Sequence, residues 1–169
     1  MKYSVLRLVA MLMAALTFLM LATACGGEEP ADTKPAYVFK ADGLTLWIGQ
    51  PADGVVDDLP TVSSVLSSTS CGIPGTDYAY PCRGYRVSTT PGSAGDKDHY
   101  IKHIELTDDT LSTPEGVTIG STREEVVSAM RSSGTPDGAS GLKYVDGKTC
   151  LLFIFGADDC VTSIQYREN

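Results

Sequence analysis

Two segments of the chain carry the hydrophobic spacing of an amphipathic helix, and an Ile-Gly pair lies near the start of both. Residues 46–59 (LWIGQPADGVVDDL) align without a gap on residues 117–130 (VTIGSTREEVVSAM), at an offset of 71. In each segment apolar residues recur at i, i+1 and i+4, which places them on one side of a helix. The pattern predicts two helices of about three turns, ended by Pro60 and by Gly134.

The polar residues at the start of the two segments also indicate helices. Ser121 and Glu124 have the S-x-x-E spacing of a capping box. In the first segment Pro51 stands at the opening helical position and Asp53 lies in the first turn. We therefore expect a helix N-terminus in each segment.

Alternating apolar and polar residues predict antiparallel strands after each helix. Residues 99–106 (HYIKHIEL) align on residues 159–166 (DCVTSIQY) at an offset of 60, in the same order as the helix segments. The predicted strands cover residues 84–90, 100–106, 150–155 and 160–166, with further strands near 77–80 and 142–145. If Phe155 lies opposite Cys160, one face of the last hairpin carries Leu151, Phe153, Phe155, Ile164 and Tyr166.

These blocks predict an α+β fold made of two tandem helix-then-antiparallel-sheet repeats, one over residues 37–107 and one over residues 108–169. The two sheets can join into one continuous sheet. The repeated IG-x-x-x-x-x-V-V block followed by strands resembles the beta-lactamase inhibitory protein and the SmpA/OmlA outer-membrane lipoproteins. The strings SCGIPGTDYAYPCRGYRV and YIKHIELTDDTLSTPEGVTIGSTREEVVSAM also resemble uncharacterised lipoproteins of Gram-positive gut bacteria. These resemblances imply a BLIP-like fold and an envelope address, and no inhibitory residue carries over.

The N-terminus has the organisation of an export signal. Lys2 and Arg7 precede an apolar run, and small residues end the segment 1–24. An uncleaved membrane helix is the alternative, although the apolar stretch is at the lower limit for crossing a bilayer. Residues 25–36 (CGGEEPADTKPA) are polar and lack apolar periodicity, which predicts a flexible tether.

The residues LATAC resemble the lipobox of bacterial lipoproteins, in which the cysteine is diacylated. Ala22 stands where the family usually has Leu, and Leu21 lies one place earlier. An ordinary signal peptidase would also accept Ala22 and Ala24, and would leave Cys25 unmodified. The resemblance implies acylation of the palmitate type at Cys25 and a lipid anchor on the extracytoplasmic face of the cell membrane.

The net negative charge of the chain argues against some classes of binding partner. The 169 residues include 13 Lys plus Arg against 21 Asp plus Glu, a net charge of −8, and removal of residues 1–24 makes it −10. So acidic a body is a poor match for nucleic acid or for an anionic lipid surface. A hydrophobic content of 43% is that of a chain that folds around a core.

Four cysteines remain besides Cys25, an even number that suits disulfides in an oxidising envelope. They are Cys71, Cys82, Cys150 and Cys160. The predicted hairpin register places Cys150 and Cys160 on opposite faces, which disfavours a bond between them. A local Cys71–Cys82 bond, with the other two free, and bonds between the two repeats both stay open.

The sequence predicts no catalytic residue, metal ligand or cofactor. It contains neither GxSxG nor HExxH. His99 and His103 lie on a predicted strand and share one face about 13 Å apart, too far to bind one ion. A Cys-His peptidase is disfavoured because disulfides better explain the thiols.

Five aromatic residues are the candidate binding residues, because tyrosines beside serines and threonines often form protein-recognition surfaces. They are Trp47, Tyr78, Tyr80, Tyr100 and Tyr144. The alternative is ordinary strand propensity. The sequence thus predicts a lipid-anchored envelope protein with a non-catalytic protein-binding or scaffolding domain. An inhibitor of a secreted enzyme, of the beta-lactamase or peptidase type, is the first alternative and an envelope hydrolase the second.

Overall fold

The computed structural model of the protein describes residues 34–95 and 97–169. The predicted signal segment, the predicted acylation site Cys25 and most of the predicted tether lie outside these ranges. Within them, no helix has both the length and the apolar character needed to cross a membrane. The last tether residues contact the body, since the Ala36 amide donates to Asp146 Oδ2 at 2.6 Å.

Ten strands, one α-helix (α1) and one short 3-10 turn make up the described fold. The helix is Arg123–Met130 and the 3-10 turn is Val56–Asp58. The strands are β1 Phe39–Ala41, β2 Leu44–Leu46, β3 Leu66–Thr69, β4 Thr76–Pro81, β5 Tyr85–Pro91, β6 His99–Leu106, β7 Thr135–Asp137, β8 Gly141–Asp146, β9 Thr149–Phe155 and β10 Val161–Glu168.

Eight of the strands form one antiparallel sheet in the order β3-β4-β5-β6-β10-β9-β8-β7, and β1 pairs with β2 in a separate hairpin. The sheet therefore consists of two four-stranded meanders, β3 to β6 and β7 to β10. They meet through their last strands, where Ile104 pairs with Tyr166 and Leu106 pairs with Ile164.

The predicted α+β class is wrong. The described part of the protein is mostly antiparallel β-sheet, with 46% of its residues in strands and 8% helical. Residues 46–59 were expected to form a helix but contain only the 3-10 turn Val56–Asp58. The backbone of Gly54 has φ +77°, a left-handed conformation that interrupts a right-handed helix before its first turn is complete.

The second predicted helix forms, with different ends. Its N-cap is Thr122, which makes a capping box with Glu125, so the cap lies one residue after the predicted Ser121. Its C-cap is Arg131, in the left-handed conformation at φ +53°, three residues before the predicted stop at Gly134. Glu125 can reach back to the N-cap amide because it occupies the third helical position.

The two repeated segments are tied to the sheet in the same way. The Gly49 amide donates to the Ile101 carbonyl, and the Gly120 amide donates to the Val161 carbonyl, both at 2.8 Å. These pairs are related by the offsets of 71 and 60 seen in the sequence. Each segment thus runs beside the first half of the last strand of one meander.

The core lies between one face of the large sheet and a cover made by the β1-β2 hairpin, residues 46–59 and α1. The Phe39 ring lies 5.1 Å from Tyr85 and 5.8 Å from Tyr166, so the hairpin packs over the middle of the sheet. The fully buried residues include Phe39, Leu46, Tyr85, Val87, Ile104, Val126, Leu151, Phe153, Ile164 and Tyr166.

The register of the last hairpin differs from the prediction by one residue at Phe155 and by two residues beyond the bulge. Phe155 pairs with Val161 and Phe153 pairs with Ile164, with a bulge between Val161 and Ser163. Because side chains alternate with a period of two, an even shift leaves the same residues facing the core.

All four cysteines of the described body are free thiols in this structure. Cys82 and Cys150 are buried, Cys71 is exposed and Cys160 is intermediate. The expected disulfide linkage therefore stays a prediction.

Candidate binding surface

The second face of the large sheet is polar, and we call it the open face. It is built from the positions of the central strands that alternate with core residues. All nine are half-buried: Arg86, Ser88 and Thr90 on β5, Lys102, His103 and Glu105 on β6, and Ser163, Gln165 and Arg167 on β10. The hairpin, residues 46–59 and α1 pack on the opposite face.

Side chains of the open face are connected by hydrogen bonds across three strands. Arg86 forms an ion pair with Glu105. The Ser163 hydroxyl donates to Glu105 at 3.5 Å, and the Gln165 amide donates to Ser163 at 3.0 Å. These contacts hold the side chains in place before a partner arrives, which lowers the entropy lost on binding.

His103 lies within this network and is held neutral. Burial lowers its pKa from the ordinary value, which outweighs the opposing effects of Glu105 and of a hydrogen bond with Gln165. A neutral imidazole beside Gln165 adds hydrogen-bonding capacity to the face without adding charge.

A bulge on β6 places the two histidines on opposite faces, contrary to the prediction that they share one. Ser88 pairs with His103, while the next residue Thr89 pairs with Ile101, so Lys102 is the extra residue. His99 lies on the core side, 3.5 Å from the Thr89 hydroxyl. In the described ranges, no group of three His, Cys, Asp or Glu is arranged to hold a metal ion.

Two adjoining grooves open beside β3 and β4, one on each side of an ion pair between Asp77 and Lys102. Their volumes are about 330 and 360 Å³. Hydroxyl side chains of the open face lie in both linings: Ser68 and Ser88 in the first groove, Ser70 and Thr90 in the second.

The carboxyl group of Asp77 is stabilised in its charged form. Burial alone would raise its pKa. Hydrogen bonds from Lys102, Thr90 and Ser70, together with the charge of Lys102, lower the pKa by more than burial raises it, so the pKa lies below the ordinary value. The Asp77–Lys102 pair is therefore fixed and charged at neutral pH, and it divides the two grooves.

The cations of the open face are matched by anions. Besides the two pairs already described, Arg167 donates to Asp137 Oδ2 at 3.0 Å. The face is thus close to neutral although the chain has a net charge of −8. A partner of either sign can approach it without strong long-range repulsion from the face itself.

The predicted aromatic residues do not form one surface. Tyr144 is only 4% exposed, and its hydroxyl donates to the Ser132 carbonyl at 3.0 Å, so it is a core residue and a binding role is dropped. Tyr78 and Tyr80 do lie together, with ring centroids 6.4 Å apart, and Tyr80 packs against the core.

Trp47 and Tyr100 make no ring contact with that pair among the aromatic contacts of the described residues. Trp47 is half-buried in the turn after β2, and the Lys34 ammonium lies 4.8 Å above its ring. Tyr100, near the start of β6, is 38% exposed. Both can be reached from solvent, but neither borders the two grooves.

The residues of the open face were missed in the sequence, although a signal for them exists. In β5, the residues Arg86, Ser88 and Thr90 alternate with buried Tyr85 and Val87. The same alternation that predicted the core face also marks the polar face.

Comparisons with protein-family models, with curated proteins and with solved structures find no match to this chain. The candidate surface is therefore assigned from its own geometry and chemistry.

Proposed function

We propose that the protein is a cell-envelope lipoprotein, anchored through Cys25 on the extracytoplasmic face of the membrane, whose body is a non-catalytic protein-binding or scaffolding domain. The open face is the contact surface and another protein is the partner. The proposal assigns no role to nucleic acid or to a cofactor.

One observation carries the binding assignment: a near-neutral, hydrogen-bonded face with two hydroxyl-lined grooves on a strongly acidic chain. Protein interfaces contain about one hydrogen bond per 100–200 Å², and arginine is enriched in them. The ion pairs Arg86–Glu105 and Lys102–Asp77 present such groups in fixed positions on rigid strands.

The environment of the thiols supports a non-catalytic body. Burial raises the pKa of the Cys82 thiol, and burial together with the Asp158 carboxylate raises the pKa of Cys160. A nucleophilic cysteine needs a lowered pKa. These two thiols therefore lack the activation that a nucleophilic cysteine needs.

Site-specific photocrosslinking in intact cells tests the proposal. A photoreactive amino acid at Ser88, in the first groove, should give an adduct of defined protein mass. The matched control is the same amino acid at Lys40, an exposed position on the covering hairpin, which should give none of that adduct. Absence of any adduct from Ser88 and from other open-face positions such as Arg86 would overturn the binding assignment.

The crosslinked partner then allows a quantitative measurement. Lys102→Met should weaken binding about tenfold, because it removes a fixed ammonium group from the groove and leaves Asp77 unpaired. Lys40→Met should leave the affinity unchanged. If the partner is a secreted enzyme whose turnover stops on binding, the protein is an inhibitor.

The anchor is tested separately. Intact-mass analysis of the natural protein should show a diacylated N-terminus at Cys25, and Cys25→Ser should release or misprocess the protein. An unmodified mature N-terminus in the culture medium would contradict the lipoprotein assignment.

A further inference from the structure

The two edges of the large sheet differ in their capacity to pair with another strand. The β7 edge has only three residues, Pro136 lacks an amide hydrogen, and Asp137 is ion-paired with Arg167. These features protect an edge against further pairing. The β3 edge, Leu66–Thr69, has four exposed residues and no charge.

The backbone of β3 offers unused hydrogen-bonding groups. The Ser70 amide bonds to the Gly75 carbonyl at 2.9 Å, on the β4 side. Backbone groups alternate in direction along an antiparallel strand, so Leu66 and Ser68 also bond toward β4. The amides and carbonyls of Ser67 and Thr69 therefore point away from the sheet, where β3 is the terminal strand.

The chain segment that contains β3 is uncharged and partly apolar. Residues 61–76 (TVSSVLSSTSCGIPGT) contain no charged side chain, in a chain with 34 charged residues counted as Lys, Arg, Asp and Glu. Five large hydrophobic side chains are exposed in the described residues, and three of them are Val62, Val65 and Leu66, at 61%, 44% and 58%. This edge combines free backbone groups with an exposed apolar strip, which is the pattern of a pairing site.

We propose that β3 pairs antiparallel with β3 of a second copy of the chain, which joins the two large sheets across a two-fold axis. An antiparallel pairing of one strand with itself is isologous, so it uses the same surface on both copies and closes as a dimer. The blunted β7 edge stops the sheet from extending further. This inference does not depend on the function proposed above.

The lack of charge along residues 61–76 removes the main electrostatic obstacle to a second copy as the occupant. Two chains that each have a net charge of −8 repel one another at most approaches, but the uncharged residues 61–76 let them meet without opposing like charges. The contact involves only a four-residue strand from each copy. We therefore expect it to bury less accessible surface than the 1,200 Å² or so that is typical of stable complexes. The dimer is therefore weak and depends on concentration.

Sedimentation of the purified full chain in a density-matched detergent tests the proposal. The wild type should shift from monomer to dimer between about 10 μM and 1 mM. Ser67→Pro removes only the outward amide and should abolish the shift, while the β3–β4 hydrogen bonds remain. Ser67→Lys, which places like charges next to each other near the axis, should also abolish it.

The matched control is Ser133→Lys, an exposed serine before the β7 edge, which should dimerise like the wild type. Thermal melting confirms that each variant is folded, and Ser67→Lys decides the outcome if Ser67→Pro does not fold. A wild type that stays monomeric at every concentration would overturn the proposal. So would a dimer that persists in Ser67→Lys, which would indicate association through the anchor, or a ladder of larger oligomers.

Discussion

Residues 47–59 and 118–130 begin with the same turn and end in different structures. The Trp47 amide donates to the Gln50 side chain at 3.1 Å, and the Thr118 amide donates to the Ser121 hydroxyl at 3.2 Å. A longer amide side chain in one segment and a short hydroxyl in the other thus make the same hydrogen bond at the same place.

The segments diverge at the helix start. In the second, the Glu125 amide donates to Thr122 Oγ1 at 3.3 Å and the Thr122 amide donates to Glu125 Oε2 at 2.8 Å. The matching residues in the first are Pro51 and Gly54, which carry no side-chain oxygen and cannot make either bond. A helix grows from residues 118–130, while residues 47–59 reach only a 3-10 turn.

In these two segments hydrophobic spacing decides which side chains are buried, and the polar residues at the start decide whether a helix forms. Leu59, after the 3-10 turn, is 6% exposed, and Val126 in α1 is 0% exposed. Both segments cover the core. Apolar residues of both segments are buried in the core. Only in the capped segment do the hydrogen bonds of the cap offset the free energy of helix nucleation.

The largest expected difference between the two segments is the loss of stability when a charge replaces each of two matched valines. Val126→Asp should lower the free energy of unfolding by about 3 kcal/mol or more, because an unpaired carboxylate enters the core. Val55→Asp, at the matching half-buried position, should cost about 1 kcal/mol. Urea denaturation at neutral pH measures both, and equal losses would show that the two segments bury their valines alike.

Alanine at the two shared glycines tests whether the turn is the same in both segments. Gly49 and Gly120 have φ of +85° and +92° and no atoms within 4 Å of an added Cβ, so the cost is conformational. Gly49→Ala and Gly120→Ala should each lose about 1–2 kcal/mol, and by nearly equal amounts. A large difference in unfolding free energy between the two variants would contradict the equivalence of the turns.

Removal of the cap from α1 tests the difference between the segments. Thr122→Ala should lower the free energy of unfolding by about 1 kcal/mol and reduce the helical signal in circular dichroism. Thr122→Ser is the matched control and should retain most of the stability, since serine keeps the oxygen. A variant that loses nothing would show that the cap does not decide where the helix forms.

The smallest expected effect is a pH dependence carried by Glu125. Hydrogen bonds from the Thr122 amide and hydroxyl lower its pKa. A carboxyl group with a lowered folded pKa stabilises the fold above its ordinary pKa of about 4.3 and loses that contribution as the pH falls through the folded value. The stability difference between wild type and Glu125→Gln should therefore shrink with falling pH, and a difference constant from pH 7 to 2 would contradict the mechanism.

The sequence predicted the strands better than the helices. The alternation of apolar residues located β4, β5, β6, β8, β9 and β10, because buried and exposed side chains of a strand simply alternate. A helix depends also on its first turn, and hydrophobic spacing carries no information on the left-handed backbone at Gly54. The bulge at Lys102 could not be foreseen either, since the spacing of His99 and His103 fits a regular strand.

The candidate surface was predicted less well than the fold. Tyr144 was among the five predicted binding residues, but its hydroxyl donates to a carbonyl within the protein. An aromatic residue on a strand has the same appearance in the sequence whether it faces a partner or the core. The polar positions around Lys102 can be recognised as one surface only when strands that are distant in sequence lie side by side.

The junction of β6 and β10 is the one strand pair of the large sheet that joins strands distant along the chain. Every other strand pair in it joins neighbours along the chain, so each meander can zip up locally. The pairing of Ile104 with Tyr166 instead requires a long loop to close before any contact compensates for the lost chain entropy. The rate-limiting step of folding is therefore expected at this junction, between two preformed halves.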